Sequence, residues 1–258
     1  MTTGNKKVQE KEIELVFGKK KIWGWLRQPD EEQTEKLPAV ILSHGYNGSG
    51  TDFEGECRYF ASNGYLALAI DFCGGSVRSK SSGSTLEMSL RTEMEDLQDV
   101  LEYVRNMPQV CADQVFLFGG SQGGVVSALT AAADTVGICG LVMYYPALCI
   151  PDNWNEEFPK GTTIPEEHEF WGMTLGRSYF EEARSLDVYK EISGYGGKVL
   201  IVHGDEDEIV DLSYSERAQE IYEKARLLVL PKEKHGFSIN GKEEAQEAAL
   251  CFMEQCRK

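Results

Sequence analysis

One serine in this 258-residue chain stands where a hydroxyl can be turned into a nucleophile. The stretch Phe116-Leu117-Phe118-Gly119-Gly120-Ser121-Gln122-Gly123-Gly124-Val125-Val126 passes from an apolar run into glycines and straight back into an apolar run. Gly119-x-Ser121-x-Gly123 fits a nucleophile elbow, a tight strand-to-helix turn that holds the serine hydroxyl clear of the backbone. Glycines flank it because side chains there would meet neighbouring backbone. Alone the pattern is weak, since a serine capping an ordinary helix reads the same way. A serine hydroxyl is a poor nucleophile at neutral pH and needs a base, normally a histidine oriented by a carboxylate.

Four histidines narrow the search. His44 and His203 each precede a glycine at a strand end and read more readily as structural. His168-Glu169 does not complete H-E-x-x-H, because Gly172 stands where the second histidine would be. His235, in Glu233-Lys234-His235-Gly236-Phe237, follows the last strand and precedes the last helix, which makes it the candidate base. The carboxylate is expected between Ser121 and His235 at another strand end, where Asp205-Glu206-Asp207-Glu208 offers four acids. Spacing leaves Asp205 and Asp207 both open.

The elements that would carry these groups alternate along the chain. Val8 to Phe17 and Lys21 to Leu26 predict an antiparallel hairpin around Gly18-Lys19-Lys20. Pro38 to Ser43 is a continuous apolar run, the mark of a strand covered on both faces, and Tyr65 to Phe72, Val115 to Phe118, Cys139 to Tyr145, Lys198 to His203 and Ala225 to Leu230 read as further strands. Helical patterns lie between them over 52–63, 88–107, 122–133, 214–224 and 243–253. The prediction is an α/β fold, one domain over 1–258, with a mostly parallel sheet entered by an antiparallel hairpin and helices on both faces. Ligands in such sheets bind beyond the carboxyl ends of the strands. The loops after Ser43, Phe72, Phe118, Tyr145, His203 and Leu230 are therefore expected to line one crevice. Residues 148–187 show no sustained period and mix aromatics with acids, prolines and glycines, which places a cap insertion over that crevice.

The order Ser121, Asp, His235 resembles the α/β-hydrolase superfamily, and the resemblance covers nearly the whole chain. His203-Gly204-x-x-Asp207-x-x-Val210 looks like the superfamily's acid loop and so implies Asp207 as the acid, with Asp205 second. His44-Gly45-Tyr46 looks like its oxyanion turn. That likeness implies the N–H groups of Tyr46 and Gln122 as oxyanion donors. Within the superfamily the chain most resembles small bacterial feruloyl/cinnamoyl esterases, through His44-Gly45-Tyr46, Asp71-Phe72-Cys73-Gly74, Gly119-x-Ser121-Gln122-Gly123-Gly124 and His235-Gly236-Phe237. It departs from them at Gly74-Gly75-Ser76-Val77-Arg78-Ser79, which lacks their loop histidine. The resemblance implies a serine carboxylic-ester hydrolase working through an acyl-enzyme on hydroxycinnamoyl (feruloyl-type) or similar aryl or acyl esters. Tyr145, Trp154 and Trp171 are the expected substrate contacts. Monoacylglycerol or short-chain ester hydrolysis, peptidase or acyltransferase action with the same triad, and a non-catalytic binding protein are the alternatives.

Composition excludes other classes. A formal net charge of -16 with one short basic run, Lys19-Lys20-Lys21, argues against a nucleic-acid partner. No apolar run approaches membrane-span length, and the polar stretch Met1 to Glu14 holds no signal-peptide core, so a cytoplasmic protein without a membrane partner is expected. Seven scattered cysteines form no C-x-x-C pair and suggest neither disulfides nor a zinc site. Gly119 to Gly124 lacks the Lys-Ser/Thr of a phosphate loop. No metal or organic cofactor is expected, and the oligomeric state, a homodimer included, is left open.

Overall fold

The computed structural model describes residues 7–31, 34–134 and 136–257. The first six residues of the polar N-terminal stretch and Glu32 and Gln33 of the acidic 29–36 loop lie outside the described residues.

Strands β1 (Val8–Phe17) and β2 (Lys20–Pro29) form the antiparallel hairpin, joined through Gly18 at φ +62°. They are followed by β3 (Leu37–Ser43), a 3-10 turn at Gly50–Phe53, α1 (Glu54–Ser62), β4 (Leu66–Ile70), α2 (Leu90–Arg105), β5 (Val110–Gly120) and α3 (Gln122–Ala133). Next come β6 (Gly140–Tyr144), α4 (Ile150–Glu157), β7 (Glu167–Phe170), β8 (Met173–Gly176), α5 (Arg177–Ser185) and α6 (Val188–Ile192). The chain closes with β9 (Val199–Gly204), α7 (Leu212–Ile221), β10 (Ala225–Leu230) and α8 (Ile239–Cys256).

Eight strands make one sheet in the order β1-β2-β4-β3-β5-β6-β9-β10. β2 runs antiparallel to β4, and from β4 through β10 every pairing is parallel. The apolar runs are continuous because alternate residues serve different layers. Leu37, Ala39 and Ile41 of β3 pack with α2 and α3, whereas Val40 and Leu42 pack with α1 and α8. Val115 and Leu117 against Phe116 and Phe118 divide β5 in the same way. Among the described residues, no helix is long and apolar enough to cross a membrane.

The 148–187 segment is more regular than its sequence suggests. It contains α4, the β7–β8 hairpin and α5. Its strands are only four residues long, too short for a period to emerge. The hairpin turns on Trp171 and Gly172, both at positive φ (+44° and +77°), a geometry that favours Asn, Asp or Gly at both places. A tryptophan at the first of them conceals the turn.

Candidate active site

The strand order brings the sequence-predicted groups together. β5, β6, β9 and β10 are neighbours, so the turns carrying Ser121, Tyr145, Asp207 and His235 leave one edge of the sheet side by side. Ser121 follows β5 directly, at φ +53° and ψ -122°, a strained conformation for a residue with a side chain. Its N–H donates to Tyr144 O (3.0 Å), and its carbonyl accepts from Gly124 N and Ala147 N (both 3.0 Å). These bonds are what over-determine the strained turn. The flanking glycines are required by contact. A Cβ on Gly119 would lie 2.1 Å from Gly123 O, and one on Gly123 would lie 2.3 Å from both Ser43 O and His44 O.

Asp207 rather than Asp205 faces His235. Its Oδ2 accepts from His235 Nδ1 (2.8 Å) and His203 Nε2 (3.1 Å), and its Oδ1 accepts from Ile209 N (2.9 Å) and Val210 N (3.0 Å). Burial alone would push this carboxyl up, yet the four donors outweigh it and hold the group well below the ordinary carboxylate range. Because an ionised carboxylate only accepts, His235 Nδ1 carries the hydrogen and Nε2 is left with its lone pair. His203 is buried, with Nε2 also donating to Val210 O (2.9 Å) and Nδ1 accepting from the Ser215 hydroxyl (2.7 Å). It is structural, as its strand-end position suggests, and it braces the acid. Asp205 instead accepts from Lys232 N in an exposed turn. The Ser121 hydroxyl makes no hydrogen bond to His235 among the described residues; in substrate-free sites such contacts are often long and tighten on binding.

Two backbone donors stand beside Ser121. A Cβ on Gly45 would come within 3.1 Å of Ser121 Cβ, so the His44-Gly45-Tyr46 turn lies against the serine. His44 fixes that turn: buried, it donates from Nδ1 to Gly45 O (2.7 Å) and accepts Phe72 N–H at Nε2 (3.1 Å). Among the described residues, neither the Tyr46 N–H nor the Gln122 N–H has a hydrogen-bond partner, the latter because it opens α3.

A cavity of about 430 Å³ opens over the serine. Tyr46, Ser121, Gln122 and the Glu208-Ile209-Val210 turn line its sheet side, and Asn153, Trp154, Glu156, Glu157, Phe170, Trp171 and Tyr179 of the 148–187 segment line the other. Trp154 is buried among Phe170, Phe180 and Tyr179, whereas Trp171 is 60% exposed and stacks on Phe170 at 4.8 Å. Three expectations need correction. The loop after Leu230, which carries His235, contributes no residue to the cavity lining. Tyr145 does not line the cavity: at φ +36° its ring turns inward and lies 4.4 Å from the His235 ring and 4.7 Å from Phe237, so it braces the imidazole. The 73–84 loop does not line it either, because Gly75 packs behind His44. His168 packs against Trp154, Phe158 and Phe180, away from any base role.

One feature of the site lay outside the sequence reading. The Gln122 side chain donates to Glu93 on α2 (2.9 Å) and accepts from the Tyr179 hydroxyl on α5 (2.8 Å). A signal existed. Glu93 interrupts the apolar stripe of Leu90, Met94, Leu97, Val100, Leu101 and Val104, and an acid on such a stripe must be buried with a partner.

A family model described as the prolyl oligopeptidase family matches residues 51–258. A protein named as the uncharacterized peptidase YtmA of Bacillus subtilis (strain 168) is 24% identical over 187 residues, covering 68% of this chain and 65% of that protein. The chain thus spans under two thirds of that relative's length. A structure of Est1E from Butyrivibrio proteoclasticus with ferulic acid bound matches with a TM-score of 0.84 and 25% identity, covering 95% of this chain and all of that one. The α/β hydrolase GrgF from Penicillium sp. sh18 shares the fold at 16% identity, with a TM-score of 0.78 over 96% of this chain and 98% of that one.

Proposed function

The chain belongs to the prolyl oligopeptidase family and is a serine hydrolase of α/β-hydrolase fold; from that premise we propose that it hydrolyses small carboxylic esters through an acyl-enzyme on Ser121. The observation that carries the reading is the strained Ser121 turn at the base of an aromatic-walled cavity. In this reading His235 Nε2 takes the Ser121 proton as the hydroxyl oxygen attacks the ester carbonyl, and Asp207 holds the imidazole in the needed tautomer. The N–H groups of Tyr46 and Gln122 receive the oxyanion. His235 then protonates the departing alcohol, and in the second half it activates water against the acyl-enzyme.

The ester class is aryl-acyl, of the hydroxycinnamoyl kind. Rings of Tyr46, Trp154, Phe170 and Trp171 along the cavity suit a flat acyl group. The likeness to Est1E, crystallised with ferulic acid, spans the chain, whereas the likeness to the peptidase YtmA spans two thirds of it. Peptide-bond hydrolysis is the second reading, favoured by the family description and by that relative's name. Methyl ferulate, glyceryl monobutyrate and peptidyl p-nitroanilides assayed side by side separate the classes. The expected outcome is fastest turnover of methyl ferulate, abolished in Ser121→Ala. Faster cleavage of the anilides would replace the esterase reading, and a Ser121→Ala variant that keeps most of its activity would remove the serine mechanism.

A further inference from the structure

Gln122 is held at both ends of its side chain by groups the proposed reaction does not use. Its Nε2 donates to Glu93 Oε2 at 2.9 Å, and its Oε1 accepts from the Tyr179 hydroxyl at 2.8 Å. The Trp154 ring packs edge-on against Tyr179, 6.0 Å between centroids. The result is a file of hydrogen bonds from α5 of the 148–187 segment, through the first residue of α3, to α2. Glu93, Gln122 and Tyr179 are 1%, 2% and 2% exposed, so no water competes for these bonds. Glu93 also reaches toward the second donor turn: a Cβ on Gly75 would lie 3.0 Å from Glu93 Oε1 and 3.3 Å from His44 Cε1.

On the reading that Ser121 forms an acyl-enzyme, we infer that Glu93 and Tyr179 are positioning residues that clamp Gln122 and so aim its peptide N–H at the oxyanion. The Ser121–Gln122 peptide plane is fixed on its carbonyl side, where Ser121 O accepts from Gly124 N and Ala147 N, while its N–H has no partner among the described residues and is steadied only through the Gln122 side chain. A side chain fixed at both ends resists rotation of that plane. Preorganisation of this kind is where an oxyanion hole gains its effect, because a donor that must swing into place stabilises the transition state less. Burial raises the Glu93 carboxyl well above its ordinary range, with Gln122 opposing and the nearby Asp96 and Glu182 adding to the rise. A shift toward the neutral form lessens the negative charge behind a developing oxyanion. Since Tyr179 also lines the cavity, a seated acyl group and the donor geometry are linked through the same file.

The test compares Glu93→Leu, Glu93→Gln, Tyr179→Phe and the Leu/Phe double variant, with active sites counted by a fluorophosphonate so that misfolded molecules are left out. Per active site, Glu93→Leu and Tyr179→Phe should each lower kcat for p-nitrophenyl butyrate about tenfold or more with KM within twofold. Each should weaken a trifluoromethyl ketone, which forms an oxyanion on the serine, by the same factor. Glu93→Gln, which keeps a neutral acceptor, should recover most of both, and the double variant should lose little more than either single one. Unchanged per-site kcat, or lower kcat with unchanged ketone affinity, would overturn the clamp and leave Glu93 a structural residue. Ser121→Ala is the separate control: if it stays active the serine mechanism has failed, whatever the clamp variants do.

Discussion

At Asp207 four hydrogen-bond donors meet one carboxylate, and that convergence decides how the site answers to pH and to mutation. Asp207→Asn keeps the shape but lets the amide donate toward His235, favouring the tautomer whose Nε2 carries the hydrogen. We expect kcat to fall about 10⁴-fold with KM little changed, measured per titrated active site. The sign of the stability effect follows from the depressed folded value. Asp207 contributes stability above the unfolded carboxylate range, near pH 4, and that contribution disappears as pH falls through the folded value. The Tm gap between the parent and Asp207→Asn should therefore be widest near neutrality and close in strong acid; a gap that widens on acidification would contradict the bonding described here. At this scale the sequence was legible where a residue type is forced by contact. Gly119 and Gly123 abut backbone, so G-x-S-x-G could be read directly. Spacing alone was illegible where identical chemistry repeats: four consecutive acids satisfy it, the likeness to the acid loop implied Asp207, and the turn geometry sends Asp207 inward and Asp205 outward.

Among the elements, the inner sheet strands announced themselves because they are buried on both faces, while the β7–β8 hairpin did not, being short and turning on Trp171. What seats that hairpin is a set of side chains from the loops beyond the sheet, all bonded to its backbone carbonyls. Tyr46 Oη donates to Phe170 O (2.8 Å), Asn47 Nδ2 to Trp171 O (3.2 Å) and Thr85 Oγ1 to Thr174 O (2.6 Å). Bonds of this kind leave no trace in the hairpin's own sequence, because a carbonyl is present at every residue. They also join the proposed acyl wall to the turn carrying an oxyanion donor. Tyr46→Phe removes one of them while keeping the Tyr46 N–H and most of the ring. It should cost about 1 kcal/mol of stability. It should raise KM for methyl ferulate several-fold and change p-nitrophenyl acetate turnover less than twofold, since a small acyl group does not depend on that wall. Equal losses on both esters would mean the hydroxyl acts on the donor turn and not on the hairpin.

Over the whole molecule, charge is the property composition states most plainly and location refines. The net charge of -16 spreads over a chain whose cavity rim holds Glu156, Glu157 and Glu208, with no lysine or arginine among the lining residues. Of these three, only Glu208 has a cationic partner among the described residues, Lys234 at 3.3 Å, and that pair is exposed and therefore weak. A substrate approaching the site meets a negative field of the whole protein, focused by the low-dielectric walls of the cavity. Neutral esters would not feel this field, but the carboxylate released in the proposed hydrolysis would, and would be driven outward. Charged substrates should expose the effect directly. For an ester bearing a remote carboxylate, kcat/KM should rise several-fold between low ionic strength and 0.5 M NaCl, as the screening length shrinks from about 30 Å to a few ångströms. The matched neutral ester should stay within about 1.5-fold over the same range. Glu156→Gln/Glu157→Gln should flatten the salt dependence of the anionic ester and leave the neutral one unchanged, because those two carboxylates line the rim without cationic partners among the described residues. If the anionic and neutral esters respond alike to salt, the field at the cavity mouth is too weak to select by charge, and discrimination rests on the aromatic wall alone.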